Sequence, residues 1–126
     1  LKNRIFAGVP SEELAGYANA VVDGTTIHVS GTTGRDPVSG VFPEDAVEQA
    51  RNCLAAIDSS LQRAGASLAN AVVCRVYVVD LASAAAVTPV LGEVFREIRP
   101  TNTLLICQIP AAGAKVEIEI TASTAS

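Results

Sequence analysis

Tryptophan is absent and only two Tyr and three Phe occur in the 126 residues, so the chain offers no stacking platform for single-stranded nucleic acid. Basic charge is also scarce: nine Lys and Arg stand against 13 Asp and Glu, for a net charge of -4. The basic residues Lys2, Arg4, Arg35, Arg51, Arg63, Arg75, Arg96, Arg99 and Lys115 are scattered. A phosphate backbone needs them clustered before counterion release yields useful affinity, so no nucleic-acid partner is expected. No apolar run approaches the roughly 20 residues that a bilayer requires, the stretch from Ala84 to Val87 being typical. A basic start followed by the apolar core of a signal peptide is missing too, and a cytoplasmic protein with no membrane partner is expected. Cys53, Cys74 and Cys107 form an odd set without C-x-x-C spacing or a companion His cluster. Neither a disulfide framework nor a zinc site is indicated, and reduced, mostly buried thiols are expected. No Pro-, Gly- or Ser-rich tract is long enough to be a linker, so residues 1–126, 49% hydrophobic, read as a single domain with one core.

What is present is a clear succession of periods. Ala18 to Val22, Asp23-Gly24 and Thr26 to Ser30 have the form of a β-hairpin, with Ile27 and Val29 toward the core and Thr26, His28 and Ser30 on the other face. The turn formers from Gly31 to Gly40 predict an exposed loop. From Asp45 to Ala64 the residues Val47, Ala50, Leu54, Ile57, Leu61 and Ala64 recur at helical spacing, and Gly65 ends the run. Ala71 to Val79 reads as a strand with Cys74, Val76 and Val78 on one face and Arg75 and Tyr77 on the other. A second helix is predicted over Ser83 to Ile98, with Pro89 in a late first turn capped by Thr88. Thr103 to Gln108 and Lys115 to Ala122 are two last strands, and a short extra strand is expected around Arg4 to Gly8. This order suits an α+β domain with both helices on one face of the sheet. Val76 and Val78 are then expected on the face left for another subunit to cover.

Few residues carry chemistry. In the last strand Glu117 and Glu119 alternate with Val116, Ile118 and Ile120, which puts the two carboxylates on one face about 7 Å apart. They fit an edge strand with a solvated face, or a site in which a partly enclosed carboxylate deprotonates a water. His28 is the sole histidine and belongs to no Ser-His-Asp or Cys-His grouping. Cys74 and Cys107 lie in apolar strands, where a thiol behaves as a small hydrophobe. Tyr17 follows a glycine before the first hairpin and suits either packing or a hydrogen-bond donor at the end of a cleft. The glycines of 31–40 lack phosphate-cradling spacing, so no nucleotide cofactor is implied.

Several stretches together resemble the Rid family of reactive-intermediate deaminases, also called YjgF or endoribonuclease L-PSP-like proteins. They are Gly16-Tyr17, His28-Val29-Ser30-Gly31, Ala50-Arg51-Asn52-Cys53-Leu54, Val76-Tyr77-Val78-Val79-Asp80-Leu81, Arg99-Pro100-Thr101-Asn102-Thr103 and Lys115-Val116-Glu117-Ile118-Glu119, covering nearly the whole chain in order. The resemblance implies a chorismate-mutase-like fold assembled as a homotrimer, with small-molecule clefts between subunits. It also implies metal- and cofactor-free hydrolysis of enamines and imines. Glu117 matches the family's catalytic glutamate, and Tyr17 and Ser30 match its substrate-binding tyrosine and serine.

Two positions depart from that pattern. The arginine that holds the substrate carboxylate falls on Asn102, and an asparagine of the second helix falls on Thr88. A neutral amide cannot supply the bidentate grip of a guanidinium, so a substrate other than the usual amino-acid-derived carboxylate is expected. Arg99 or Arg75 could restore the charge from another direction, although odd spacing puts Arg99 and Asn102 on opposite faces if the segment is extended. The alternative function is a non-catalytic trimer that binds a small metabolite or a protein. A ribonuclease role fits poorly with an acidic chain.

Overall fold

A two-residue turn, Gly24-Thr25, joins β2 (Ala20–Asp23) to β3 (Thr26–Thr33) as an antiparallel hairpin in the computed structural model, which describes residues 2–126. Asp23, expected in the turn, pairs with Thr26 at the end of the ladder. Gly24 takes a φ of 63°, the left-handed conformation such a turn needs. Ile27 and Val29 are buried and His28 is exposed, as a period of two requires. β1 (Lys2–Ile5) pairs with β2, slightly earlier in the chain than expected.

β3 runs on through Thr33, into the stretch expected to be loop. Its partner is β6 (Val116–Ser123), and Val29 lies opposite Ile120 while Thr32 lies opposite Ile118. Ser30 and Gly31 therefore share the span of one β6 residue, a bulge that absorbs the glycine and lets the ladder continue. A short helix, α1 (Pro10–Ala15), was not expected. Pro10 starts it, Gly16 at a φ of 73° ends it, and the Glu12 carboxylate accepts from the backbone N–H groups of Ala7, Gly8 and Val9.

α2 (Ala46–Arg63) is capped by Asp45, whose side chain accepts from the N–H of Val47. Its buried stripe of Ala50, Cys53, Leu54, Ile57 and Leu61 lies on the sheet. A polar residue completes that stripe. Gln49 is fully buried, donates from Nε2 to the carbonyls of Pro43 (2.6 Å) and Gly113 (2.9 Å), and accepts from the N–H of Lys115 (2.8 Å). It joins the start of α2 to the entry of β6.

α3 (Leu81–Phe95) starts earlier than expected because Asp80 caps it, accepting from the N–H of Ser83 at 2.7 Å. Pro89 lies inside the helix and not in a first turn capped by Thr88. The Thr88 hydroxyl instead donates back to the carbonyl of Ala84 (2.8 Å). Pro89 and Ala85 are both exposed, so water can satisfy the carbonyl that the proline leaves without a donor.

The sheet order is β1-β2-β3-β6-β4-β5, with β4 (Ala71–Val78) antiparallel to β6 and parallel to β5 (Thr101–Ile106). Val76, Val78, Val116, Ile118 and Ile120 are fully buried beneath α2 and α3. Each contributes roughly 1.5–3 kcal/mol of apolar burial. Val76 and Val78 thus do not form the uncovered face. That face carries Tyr77, Leu105, Glu117 and Glu119, since side chains of the other parity point away from the helices. Cys53 and Cys74 are buried, whereas Cys107, expected inside an apolar strand, is exposed just beyond β5. Among the described residues no helix is long and apolar enough to cross a membrane.

Candidate active site

Glu117 and Glu119 project from β6 on the face away from α2 and α3, and the strand order gives them different neighbours. Glu119 stands opposite Arg75 and accepts a hydrogen bond from the Tyr77 hydroxyl at 3.2 Å. Burial and the Glu119 charge together push the Tyr77 phenol up. Glu117 has neither a hydrogen bond nor an ion pair among the described residues. Desolvation pushes its pKa above the ordinary value, and the neighbouring Glu119 adds to the rise. The Glu117 carboxylate lies against Gly31, where an added β-carbon would stand 3.1 Å from its Cδ and Oε1. The bulge therefore places a residue without a side chain where the carboxylate needs space.

Gly31 and Ser30 line a cavity of about 760 Å³ together with Tyr17. The Ser30 hydroxyl donates to the carbonyl of Ala18 at 2.6 Å, leaving its lone pairs for a ligand. The Tyr17 hydroxyl shares a hydrogen bond of 2.6 Å with Ser11. Glu117 is not itself among the residues lining this cavity and meets it through Gly31. Tyr17 and Ser30 thus share a cavity whose wall includes Asn52, Ala56 and Ser60 of α2, while Glu117, on the face of the sheet away from that helix, reaches its edge only at Gly31.

Asn102, Thr88 and Arg99 are gathered elsewhere. They line a second cavity, of about 370 Å³, with Cys74, Phe95 and Arg96 among its other walls. Asn102 is the register partner of Cys74, which fixes its side chain on the helix side of the sheet, opposite to Glu117. Arg99 lines the same cavity as Asn102, contrary to the expectation of opposite faces. The extended segment begins only at Thr101, and Arg99 has a φ of 59°. Arg75 is exposed on the far face beside Glu119.

Sequence reading missed Gly31 and Arg96. A glycine within a β-branched run signals a bulge, and Arg96 precedes Arg99 by one helical turn. Burial raises the Cys53 thiol to about 12 and the Cys74 thiol to about 11, which leaves both inert. Among the described residues no three His, Cys, Asp or Glu are grouped to hold a metal.

The profile of the family described as Endoribonuclease L-PSP matches residues 10–124. The chain belongs to that family. A goat (Capra hircus) member named 2-iminobutanoate/2-iminopropanoate deaminase is 34% identical over 104 residues, 82% of this chain and 76% of the relative. A RutC family protein of Sinorhizobium fredii is also 34% identical, over 82% of each chain. Among solved structures, a YjgF/YER057c/UK114 family member from Mycobacterium tuberculosis superposes with a TM-score of 0.89 at 33% identity, covering 98% of this chain and 100% of the other. The TdcF protein of E. coli, solved with bound serine, superposes at 0.81 and 26% identity over 97% and 94% of the two chains. This L-PSP family chain therefore has the YjgF fold, and imine deamination is an activity named within its family.

Proposed function

We propose that this chain hydrolyses the C=N bond of a small imine, or of an enamine after tautomerisation, releasing ammonia and a carbonyl product. Glu117 carries the reading. It is an unpaired, half-buried carboxylate with a raised pKa, set beside the cavity of Tyr17 and Ser30. Such a group is suited to general-base work near neutral pH. Glu117 takes a proton from water as the oxygen bonds to the imine carbon and the C=N electron pair moves to nitrogen. The protonated carboxyl returns that proton to the nitrogen of the carbinolamine, and the carboxylate so freed accepts the hydroxyl proton as the C=O bond forms and the C–N bond breaks, then passes it to solvent. The sum is imine plus water to carbonyl plus ammonia. A protonated imine carbon is already electrophilic, so these groups suffice for the step. Ser30 accepts from the nitrogen of the substrate, because its own proton is held by Ala18. Tyr17 hydrogen-bonds the polar end.

The reading places this chemistry in a cleft between subunits of a homotrimer. Support comes from the separation of the candidate residues: Glu117 and Asn102 lie on opposite faces with β4 between their strands, so one chain cannot bring them together. A neighbouring copy can, with the Asn102 and Thr88 cavity of one facing Glu117 of the next. The test generates 2-iminobutanoate in situ with an amino-acid oxidase and follows ammonia and ketoacid release above the spontaneous rate. Glu117→Gln should lower that rate about 100-fold or more. Wild-type protein that does not exceed the spontaneous rate would leave a metabolite-binding trimer as the better account.

A further inference from the structure

We infer that Arg99, assisted by Arg96, is the specificity-determining residue that admits an anionic substrate, taking over at a new position the charge that Asn102 lacks. This rests on the hydrolytic reading above. Four observations converge on it. Arg96 and Arg99 both line the cavity of Asn102 and Thr88, and no Asp or Glu lines it. Neither guanidinium is held in an ion pair among the described residues, where Arg51 with Glu93 is the pair formed. The remaining lining is apolar, from Leu91, Phe95 and Leu104, which matches a small carboxylate with a short hydrocarbon body. Finally, among the described residues Arg99 is the non-glycine residue held at positive φ, 59°. That conformation is uncommon for a long side chain and disfavoured by sterics. Asparagine or glycine would fit the turn better, so the arginine is there at some expense to the backbone, and strain of this kind gathers at ligand sites.

Loss of the charge at position 102 alone points to neutral substrates. With Arg99 lining the same cavity, the charge is displaced and not lost. Asn102 and Thr88 then supply hydrogen bonds beside a carboxylate held by the guanidinium, whose planar fork matches its two oxygens.

The experiment uses Arg99→Asn, because asparagine tolerates left-handed backbone and the variant should fold at least as well as the wild type. Binding of 2-oxobutanoate, an unreactive carboxylate probe, is measured by calorimetry, and hydrolysis of 2-iminobutanoate is measured in parallel. Arg96 and Arg99 are exposed, so solvent screening limits the effect. Arg99→Asn should raise the probe's Kd and the KM about 10-fold with little change in kcat, while the melting temperature holds or rises. Arg99→Lys should recover part of the loss. Asn102→Arg in the Arg99→Asn background should restore binding, which a merely structural role for Arg99 would not allow. Probe binding that depends on Arg99 in a protein without hydrolysis would uphold the anion site and sink the hydrolytic reading. Hydrolysis with unchanged KM and Kd in Arg99→Asn would overturn the assignment of Arg99 and leave the hydrolytic reading intact.

Discussion

Gly31 makes room for Glu117: a β-carbon on residue 31 would stand 3.1 Å from both Cδ and Oε1 of the carboxylate. The contact is tight, and the group that must yield is the flexible end of a side chain, not backbone. Gly31→Ala should therefore displace the carboxylate by a few tenths of an ångström without unfolding the chain. We expect imine hydrolysis to fall about 10-fold, since misplacing a catalytic group is costly, with a nearly unchanged melting temperature. Steady-state kinetics alongside a thermal melt check this. Equal loss of stability and activity would contradict it.

The raised pKa of Glu117 has a sign that stability measurements can read. Desolvation and the Glu119 charge disfavour the ionised form in the folded chain, so ionising Glu117 destabilises the fold. The penalty is full above the folded pKa and disappears as pH falls through that value toward the ordinary 4.5. Glu117→Gln removes the charge and should melt above the wild type at pH 7.5, with the difference shrinking as pH approaches 4.5. A variant that is less stable at pH 7.5 would show that the carboxylate has a stabilising partner. The same substitution should abolish most of the hydrolysis, an exchange of activity for stability common at active sites.

Gln49 satisfies three backbone groups from inside the core, the carbonyls of Pro43 and Gly113 and the N–H of Lys115. Gln49→Leu keeps the volume and orphans all of them. Each buried group left unpaired costs about 1–3 kcal/mol, and with partial relaxation a total near 3 kcal/mol is expected by urea denaturation. The Gly113 end lies next to β6, so its amides should also exchange faster with solvent in the variant.

Much of the fold was legible in the sequence because its periods are clean. The hairpin at Asp23-Gly24, the stripe from Ala50 to Leu61 and the alternation of Val116, Ile118 and Ile120 each announce an element through side-chain spacing. α1 was not legible, being too short to show a period, although Pro10 and Gly16 mark its ends. Pro89 misled because a proline reads as a helix start unless its exposed side is known. The parity of β4 was read correctly, but which parity lies beneath the helices was not. Spacing within one strand says nothing about the side from which helices return. The candidate site was legible only in part for the same reason. Glu117 meets Gly31 because β6 pairs with β3, and Arg99 shares a cavity with Asn102 because the chain turns left-handed before β5.

The position of β6 between β3 and β4 also governs how the chain can be made. Through residue 106 a nascent polypeptide can form a meander of β1, β2 and β3 and a separate parallel pair of β4 and β5, yet these two pieces share no ladder. Only the segment 116–123 bonds to both. The sheet therefore becomes continuous only once residues 116–123 have been made, and until then the facing edges of β3 and β4 stand open to any extended segment nearby. Glu117 lies within the strand that closes them, so the residue proposed for catalysis is delivered by the same event that completes the sheet.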